Sequence, residues 1–270
     1  MQLNFEFRTL LMAAFVALFF SQPLFAQSEE DLAKQLANPL ASLVSVPIQF
    51  NWDDNMGTDG NGDTLRINVQ PVAPFSINDD WNLISRTILP IIDQSNFPTT
   101  GDSATGLGDT VLSLWASPTA PTSGGWIWGV GAAFLLPTAT DDDLGADQWG
   151  LGPTAVALKQ VGPWTYGGLM NHIESVGGGS NGTDISATFI QPFLTYVTST
   201  KTTFALNSES TYDWENKEWA IPINLQVSQM LKAGNRPFQV QAGVRYWAQS
   251  SAIGAEDWGF RFSVILLFPK

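Results

Sequence analysis

The chain has 270 residues, and its 25 acidic against 12 basic side chains give a net charge of −13, which argues against nucleic acid as a partner. It contains no cysteine, which excludes a disulfide framework, a lipoprotein anchor and a thiolate metal site. Because only 14% of the residues are charged while 12% are aromatic, the chain has ample apolar surface to bury in a core or in lipid.

Residues 1–26 have the features of a secretory signal peptide. Arg8 gives a weakly positive start, residues 10–20 form an apolar core, and Leu24-Phe25-Ala26 offers a cleavage site before Gln27. The apolar core is shorter than a membrane-spanning helix requires, and no later apolar run approaches spanning length. We therefore predict export and removal of residues 1–26.

A short helix is predicted within residues 27–42. Three acidic residues at 29–31 suit the positive start of a helix, Leu32 and Leu36 share one face, and Pro39 disfavours continuation. Two interpretations stay open for this segment. It is either a latch that closes the mouth of the domain behind it or a loosely docked tail.

From residue 43 to residue 270, alternating apolar and polar residues recur in segments of about ten residues separated by Gly, Pro, Asp and Asn clusters. In one of them, Leu65 and Ile67 alternate with Arg66 and Asn68. Twelve strands are predicted, at 43–53, 64–77, 81–92, 109–117, 125–138, 149–160, 164–174, 184–198, 202–213, 218–231, 237–249 and 257–268. The phases of 164–174 and 184–198 are ambiguous.

The connections and the aromatic residues favour a membrane barrel over a soluble one. Turns after even-numbered strands are short to moderate, whereas most loops after odd-numbered strands are longer and acidic, as at Asp53, Asp54 and residues 141–143. Tryptophans fall at proposed strand ends, where aromatic girdles belong, namely at Trp52, Trp81, Trp126, Trp149, Trp164, Trp214, Trp219 and Trp258. The last strand carries an aromatic and apolar residue at every second position from Trp258 to Phe268.

We therefore predict an all-β fold. It is a transmembrane antiparallel up-and-down β-barrel of about twelve strands over residues 43–270, preceded by a short N-terminal helix, in the outer membrane of a Gram-negative cell. Its partners would be outer-membrane lipid, lipopolysaccharide and the barrel assembly machinery. The alternatives are a periplasmic β-sandwich and a soluble ligand-binding barrel, whose strands also alternate.

Phasing the strands by their apolar faces predicts which charged side chains enter the lumen. They are Arg66, Arg86, Lys159, Glu209, Arg245 and Arg261. All four arginines belong to strands that flank the closure, so we hypothesise a basic wall that guides anions or polarised aromatic and carboxylate solutes. The competing interpretation is an internal salt-bridge lattice, with Glu209 and Asp213, that stiffens the barrel.

Catalytic and metal-binding interpretations are weak, and we predict neither an enzyme nor a cofactor or metal site. His172 is the only histidine, and Ser175, three residues later, would face the other side of the strand. The acidic run 59–63 resembles half of a calcium loop, but Thr64 and Gln70 stand where that loop needs glycine and glutamate.

Several framework motifs resemble those of the bacterial outer-membrane β-barrel transporter family of the phenol-degradation MetA-pathway type. The motifs are Ala33-Lys34-Gln35-Leu36-Ala37-Asn38-Pro39, Asp80-Trp81-Asn82-Leu83-Ile84-Ser85-Arg86, Gly106-Leu107-Gly108-Asp109, Gly125-Trp126-Ile127-Trp128-Gly129, Pro137-Thr138-Ala139-Thr140, Gly162-Pro163-Trp164-Thr165-Tyr166-Gly167 and Leu267-Phe268-Pro269-Lys270. The resemblance spans the mature chain and implies an outer-membrane barrel with a transport function.

The sequence thus predicts an outer-membrane channel or transporter for small solutes of aromatic, anionic or amphipathic character. A lumen of twelve strands is intermediate between barrels filled by side chains and wide aqueous pores. The alternative function is a structural or surface-binding barrel with an occluded lumen.

Overall fold

A computed structural model describes residues 29–179 and 182–269, and these form a closed antiparallel barrel of twelve strands with one helix at one end. The predicted fold class and strand number are confirmed. The predicted signal peptide, residues 1–26, lies outside the described residues. No helix in the described part of the chain is long and apolar enough to span a membrane.

Helix α1 comprises Glu29–Leu36, and fifteen strand segments follow it. They are β1 (Val44–Met56), β2 (Gly62–Val69), β3 (Val72–Ser76), β4 (Trp81–Ser95), β5 (Ser103–Leu107), β6 (Thr110–Pro118), β7 (Trp126–Leu136), β8 (Gln148–Val161), β9 (Trp164–Gly178), β10 (Ser186–Val197), β11 (Thr202–Ser208), β12 (Ser210–Asp213), β13 (Glu218–Ala233), β14 (Arg236–Gln249) and β15 (Asp257–Phe268). A single 3₁₀ turn, Asp142–Leu144, lies between β7 and β8.

Three barrel strands are each made of two segments, which accounts for fifteen segments in a barrel of twelve strands. The pairs are β2 with β3, β5 with β6, and β11 with β12, and in each pair both segments bond to the same neighbouring strand. The break in the last pair is a single residue, Glu209. Such irregularities bend a strand and re-aim the side chain that stands at the break.

The barrel closes where the first strand meets the last. Strand β1 pairs antiparallel with β15 from Val44 opposite Phe268 to Trp52 opposite Phe260. Its other edge pairs with β2, so the strands in the described part of the chain leave no open edge. In a bilayer this closure is required, because backbone amides and carbonyls have no water with which to bond.

The two rims differ in their connections. At the rim where α1 lies, called the α1 rim here, the shortest turns contain only two residues, 162–163 and 234–235. At the opposite loop rim, the connection 137–147 is the longest. Exposed tryptophans lie towards both rims on the outward face, among them Trp126 and Trp164 at the α1 rim and Trp149 and Trp258 at the loop rim. This placement matches the two aromatic girdles of a membrane barrel.

The strands β6 and β7 pack closely beside Trp115, which is buried in the lumen. Gly131 lies opposite Trp115, and a Cβ at Gly131 would overlap the backbone carbonyl oxygen of Leu114. Gly168 in β9, by contrast, has only ordinary contacts around the position of a Cβ. Glycine is therefore required by space at the first position and not at the second.

We expect Gly131→Ala to destabilise the barrel by about 1–3 kcal/mol, because the backbone must shift to admit the methyl group. The measurement is the folded fraction after refolding into detergent. Folded protein appears as the faster band when samples are run on gels without heating. Gly168→Ala is the matched control and should fold like the unmodified protein. Equal folded fractions for the two variants would contradict the packing described here.

Candidate functional site

The lumen has a polar half and an apolar half. The apolar half is a cluster on β4, β6, β8 and β9 together with Leu40 from the segment after α1, and it contains Ile84, Trp115, Val156, Leu158 and Leu169. The polar half includes one row of directly paired inward residues across six adjacent strands, which we call the polar belt: Thr203, Ser228, Gln241, Ser263, Gln49 and Asn68. Polar side chains of this kind are expected inside a barrel whose outward face is apolar.

Arg261 is held by a carboxylate and an amide on the loop-rim side of the polar belt. Its two terminal nitrogens donate to the two carboxylate oxygens of Glu209 at 2.8 and 2.7 Å, and its Nε donates to Asn51 Oδ1 at 2.7 Å. Only 3% of Arg261 is exposed. This bidentate geometry is the strongest form of the arginine–carboxylate pair, and it holds the guanidinium against the barrel wall.

Arg245 is held in a similar way by Asp53. Its Nη1 donates to Asp53 Oδ2 at 2.8 Å, and the indole of Trp247 donates to the other carboxylate oxygen at 2.9 Å. Arg245 is 7% exposed and Asp53 is 6% exposed. The residues of these two clusters, called the arginine lattice from here on, are Asn51, Asp53, Glu209, Arg245, Trp247 and Arg261.

Asp53 therefore has a different place from the one expected from the sequence, which grouped it with the acidic loops. It lies inside the barrel because it shares the inward face of β1 with Asn51. Asp213, expected in the lattice, instead accepts hydrogen bonds from Glu215 and Asn216 in its own turn.

Arg66 and Arg86 also lie in the lumen but have no ion pair within residues 29–179 and 182–269. Arg66 is opposite Asn51 on β2 and is exposed to the lumen. Arg86 is half-buried, and its Nη2 donates to Gln70 Oε1 at 2.7 Å. The four arginines thus divide into two that hold carboxylates and two that form no salt bridge within the described residues.

Lys159 does not belong to this set, and the structure corrects its predicted phase. It stands opposite Trp126 on β7 and Tyr166 on β9, both of which are exposed on the outward face. A lysine at the α1 rim can lay its alkyl stem along such rings and extend its ammonium group towards water. Lys159 is therefore an outer girdle residue.

His172 also faces outward, towards the loop rim. Its Nδ1 lies 2.9 Å from the Thr188 hydroxyl and its Nε2 lies 2.8 Å from a carboxylate oxygen of Glu174. The Ser175 hydroxyl accepts a hydrogen bond from the backbone of Ile185 instead. The pair of His172 and Ser175 weighed from the sequence is thus not assembled.

Helix α1 lies in the mouth of the barrel at the α1 rim. Leu32 and Ala33 are buried against residues of three strands, namely Val197 of β10, Met230 of β13, and Ile265 and Leu267 of β15. Glu29 forms ion pairs with Lys201 and Lys232, and Gln160 of β8 donates to the backbone carbonyl of Lys34. The helix is therefore tied to the rim at three separate points, from β8 to β13.

The ion pairs of Glu29 also affect its ionisation. Hydrogen bonds from Lys201 and then from Lys232 lower the pKa of Glu29 below its ordinary value of 4.5. Because the pKa is lowered in the docked state, this stabilisation is complete above the ordinary pKa and is lost as the pH falls through the lowered one.

Loop 137–147 folds inward at the loop rim. The Asp109 carboxylate accepts hydrogen bonds from the backbone amides of Ala139 at 3.1 Å and Ala146 at 2.7 Å, and Leu144 is buried against lumen-facing Ile92. A Cβ at Gly106 would overlap the hydroxyl of Thr140. One contact thus joins two motifs that are separate in the sequence, 106–109 and 137–140. This contact narrows the opening of the barrel at the loop rim.

A cavity of about 250 Å³ lies between α1 and the arginine lattice. Its walls include Leu36 of the helix, the side chains of Arg86 and Arg261, and residues of both halves of the lumen. It is smaller than the pockets that hold drug-sized ligands, which measure roughly 300–1,000 Å³.

Comparison with solved structures identifies the architecture. The COG4313 outer membrane channel from Pseudomonas putida F1 superposes with a TM-score of 0.65 at 13% identity, covering 84% of this chain and 96% of that one. Outer membrane phospholipase A from Escherichia coli gives a TM-score of 0.50 at 11% identity, covering 89% and 98%. No protein-family model and no curated protein sequence matches the chain.

The protein is thus an outer-membrane β-barrel whose outward face contacts lipid. At these identities the likeness concerns the fold alone. The fold carries a channel in one relative and a phospholipase in the other, so it does not decide between transport and catalysis. That choice depends on the side chains of this lumen.

We expect Asp53→Ala to lower the free energy of unfolding by about 3–5 kcal/mol, because it leaves Arg245 buried without its carboxylate. Samples are incubated at increasing temperatures before electrophoresis, and the temperature at which the folded band disappears should fall. Asp54→Ala makes the same charge change at an exposed neighbouring position and should leave that temperature unchanged. Identical temperatures for both variants would show that the lattice does not stabilise the barrel.

Proposed function

We propose that this protein is an outer-membrane channel for small solutes with a preference for anions. The observation that carries the proposal is the division of the arginines. Asp53 and Glu209 are each bound by another arginine, Arg245 and Arg261, so Arg66 and Arg86 add positive charge to the lumen that no salt bridge within the described residues neutralises. Fixed charge in a narrow, partly apolar passage favours ions of the opposite sign.

The size and lining of the lumen support a small amphipathic, anionic or aromatic solute. One wall is an apolar cluster around Trp115, and the other combines the polar belt with arginines. The sequence resemblance to transporters of the MetA-pathway type and the structural similarity to a channel both favour transport of small molecules. A peptide or folded protein would not pass the space left beside Trp115 and α1.

We infer that the α1 rim faces the periplasm and that residues 27–42 act as a latch there. Short turns on the periplasmic side and longer loops outside are the usual asymmetry of such barrels. The helix is tied to the rim through Glu29 and the Lys34 carbonyl. The acidic loops would then face lipopolysaccharide, and the outward column of β15 would be presented to the barrel assembly machinery.

Arg66→Gln should reduce anion preference, because it removes positive charge from the lumen without breaking an ion pair. The measurement is the reversal potential across a planar bilayer in a KCl gradient, which we expect to move towards the value for an unselective pore. Lys159→Gln removes the same charge from the outward face and is the matched control. If the two variants gave the same potential, anion selection by this wall would be wrong.

Deletion of residues 28–37 should raise the single-channel conductance, because it removes the helix from the mouth. Glu29→Gln should produce a smaller effect, namely more frequent transitions to the higher conductance level, since it weakens one side of the attachment. Both are measured in the same bilayer experiment. A deletion variant with unaltered conductance would reject the latch.

The second candidate is a structural or surface-binding barrel with an occluded lumen. It is favoured by the way α1, Leu40 and Trp115 fill part of the passage. This alternative predicts that neither the unmodified protein nor the deletion variant carries current, although both are folded.

A further inference from the structure

The cavity between α1 and the arginine lattice has three chemically distinct surfaces. We propose that it is a binding chamber for a small monocarboxylate with a compact hydrocarbon body and a hydrogen-bonding substituent. The inference rests on the proposed channel function, because it treats the chamber as a stopping point on the transport path. Its volume of about 250 Å³ sets the size of the occupant.

Arg86 supplies the group that would bind the carboxylate. It lines the cavity, and one of its terminal nitrogens is engaged by Gln70 Oε1. The Gln70 amide nitrogen in turn donates to Gln49 Oε1 at 3.2 Å, which fixes which end of the Gln70 side chain faces the arginine. The guanidinium is thus oriented by an uncharged partner, and its other N–H groups remain for a ligand.

Arg261 lines the same cavity but is not the recognition group. Both of its terminal nitrogens are bound to Glu209 and its Nε is bound to Asn51. A ligand carboxylate would have to displace Glu209, which would leave a second carboxylate unpaired inside the barrel. Arg86 is therefore the cation available to the ligand in the chamber.

The hydrocarbon body would lie against one apolar wall. Val72 stands directly opposite Arg86 in the strand pairing, and Leu169 and Phe193 complete the wall. Leu169 belongs to the apolar cluster, and Val72 and Phe193 pack against that cluster, so the wall is part of the lumen's apolar half. A ligand with its charge on Arg86 can remove hydrocarbon from water at the same time, which contributes about 25 cal/mol for each Å² buried.

The opposite wall offers hydrogen-bond donors without partners. Thr203 Oγ1, Gln226 Nε2 and Ser263 Oγ are buried, line the cavity and have no hydrogen-bond partner in the described part of the chain. Buried polar atoms in proteins are nearly always bonded, so side chains of this kind point to a polar occupant. A hydroxyl or carbonyl group on the ligand would satisfy them.

Together these surfaces specify the class of solute. A simple inorganic anion would use Arg86 but neither wall, and a neutral hydrocarbon would leave both Arg86 and the donors of Gln226 and Ser263 unused. Binding should thus be strongest for a carboxylate that has a ring or branched hydrocarbon and one further polar group.

The test uses current block in planar bilayers. Cyclohexanecarboxylate added to the unmodified channel should interrupt the KCl current, while acetate and the neutral amide cyclohexanecarboxamide should not at the same concentration. Arg86→Gln should raise the half-blocking concentration by about tenfold or more, the effect of one charge-assisted hydrogen bond. Lys159→Gln removes the same charge from the outward face, away from the chamber, and should change this concentration by less than about twofold.

A second comparison tests the donor wall. 4-Hydroxycyclohexanecarboxylate should block at a lower concentration than cyclohexanecarboxylate, and Gln226→Leu should abolish that difference while leaving block by cyclohexanecarboxylate in place. A comparison of heated and unheated samples on gels checks that each variant is folded, because the folded barrel migrates faster than the unfolded chain.

The possible failures are distinguishable. A channel that conducts with anion preference but is blocked equally by acetate, or is blocked equally in Arg86→Gln and the unmodified protein, overturns the chamber and leaves the channel. A folded protein that carries no current with or without α1 overturns the proposed channel function and the chamber with it.

Discussion

The pairing of β1 with β15 is the contact on which the rest of the structure depends. In lipid an unpaired strand edge has no hydrogen-bonding partner, so the sheet must join its first strand to its last. Closure also fixes which face of each strand is inside, because successive side chains alternate. The arginine lattice follows from this contact, since it joins β1 to β14 and β15 across 192 residues between Asp53 and Arg245 and 210 residues between Asn51 and Arg261.

The lattice also explains how one lumen can be both rigid and charged. A buried arginine without a partner is costly, and a buried pair is strongly damaged when one partner is removed. Arg245 and Arg261, the least exposed arginines of the four, have carboxylate partners, whereas Arg66 and Arg86 lie where the lumen is accessible. The ion pairs expected of the salt-bridge lattice are found at Arg245 and Arg261, whereas the proposed basic wall rests on Arg66 and Arg86.

The architecture was predictable because a period of two is a local signal repeated in every strand. The placement of Lys159 was not, because β8 has apolar residues on both faces: Val156 and Leu158 belong to the lumen's own apolar cluster, while Ala155 and Ala157 face outward. The role of Asp53 was equally hidden, because its partner lies 192 residues away. The sequence marked arginines as inward, but only the register of neighbouring strands separates paired from unpaired ones.

The attachment of α1 bears on the order of assembly. The helix precedes every strand, yet its partners come late in the chain. Lys201 and Lys232, which hold Glu29, lie after β10 and near the end of β13. Its apolar side packs on Ile265 and Leu267 of the final strand. These contacts can all exist together only when β10, β13 and β15 stand together around the mouth. The helix thus reaches its site only once the strands around the mouth are in place, so a docked helix reports a completed barrel.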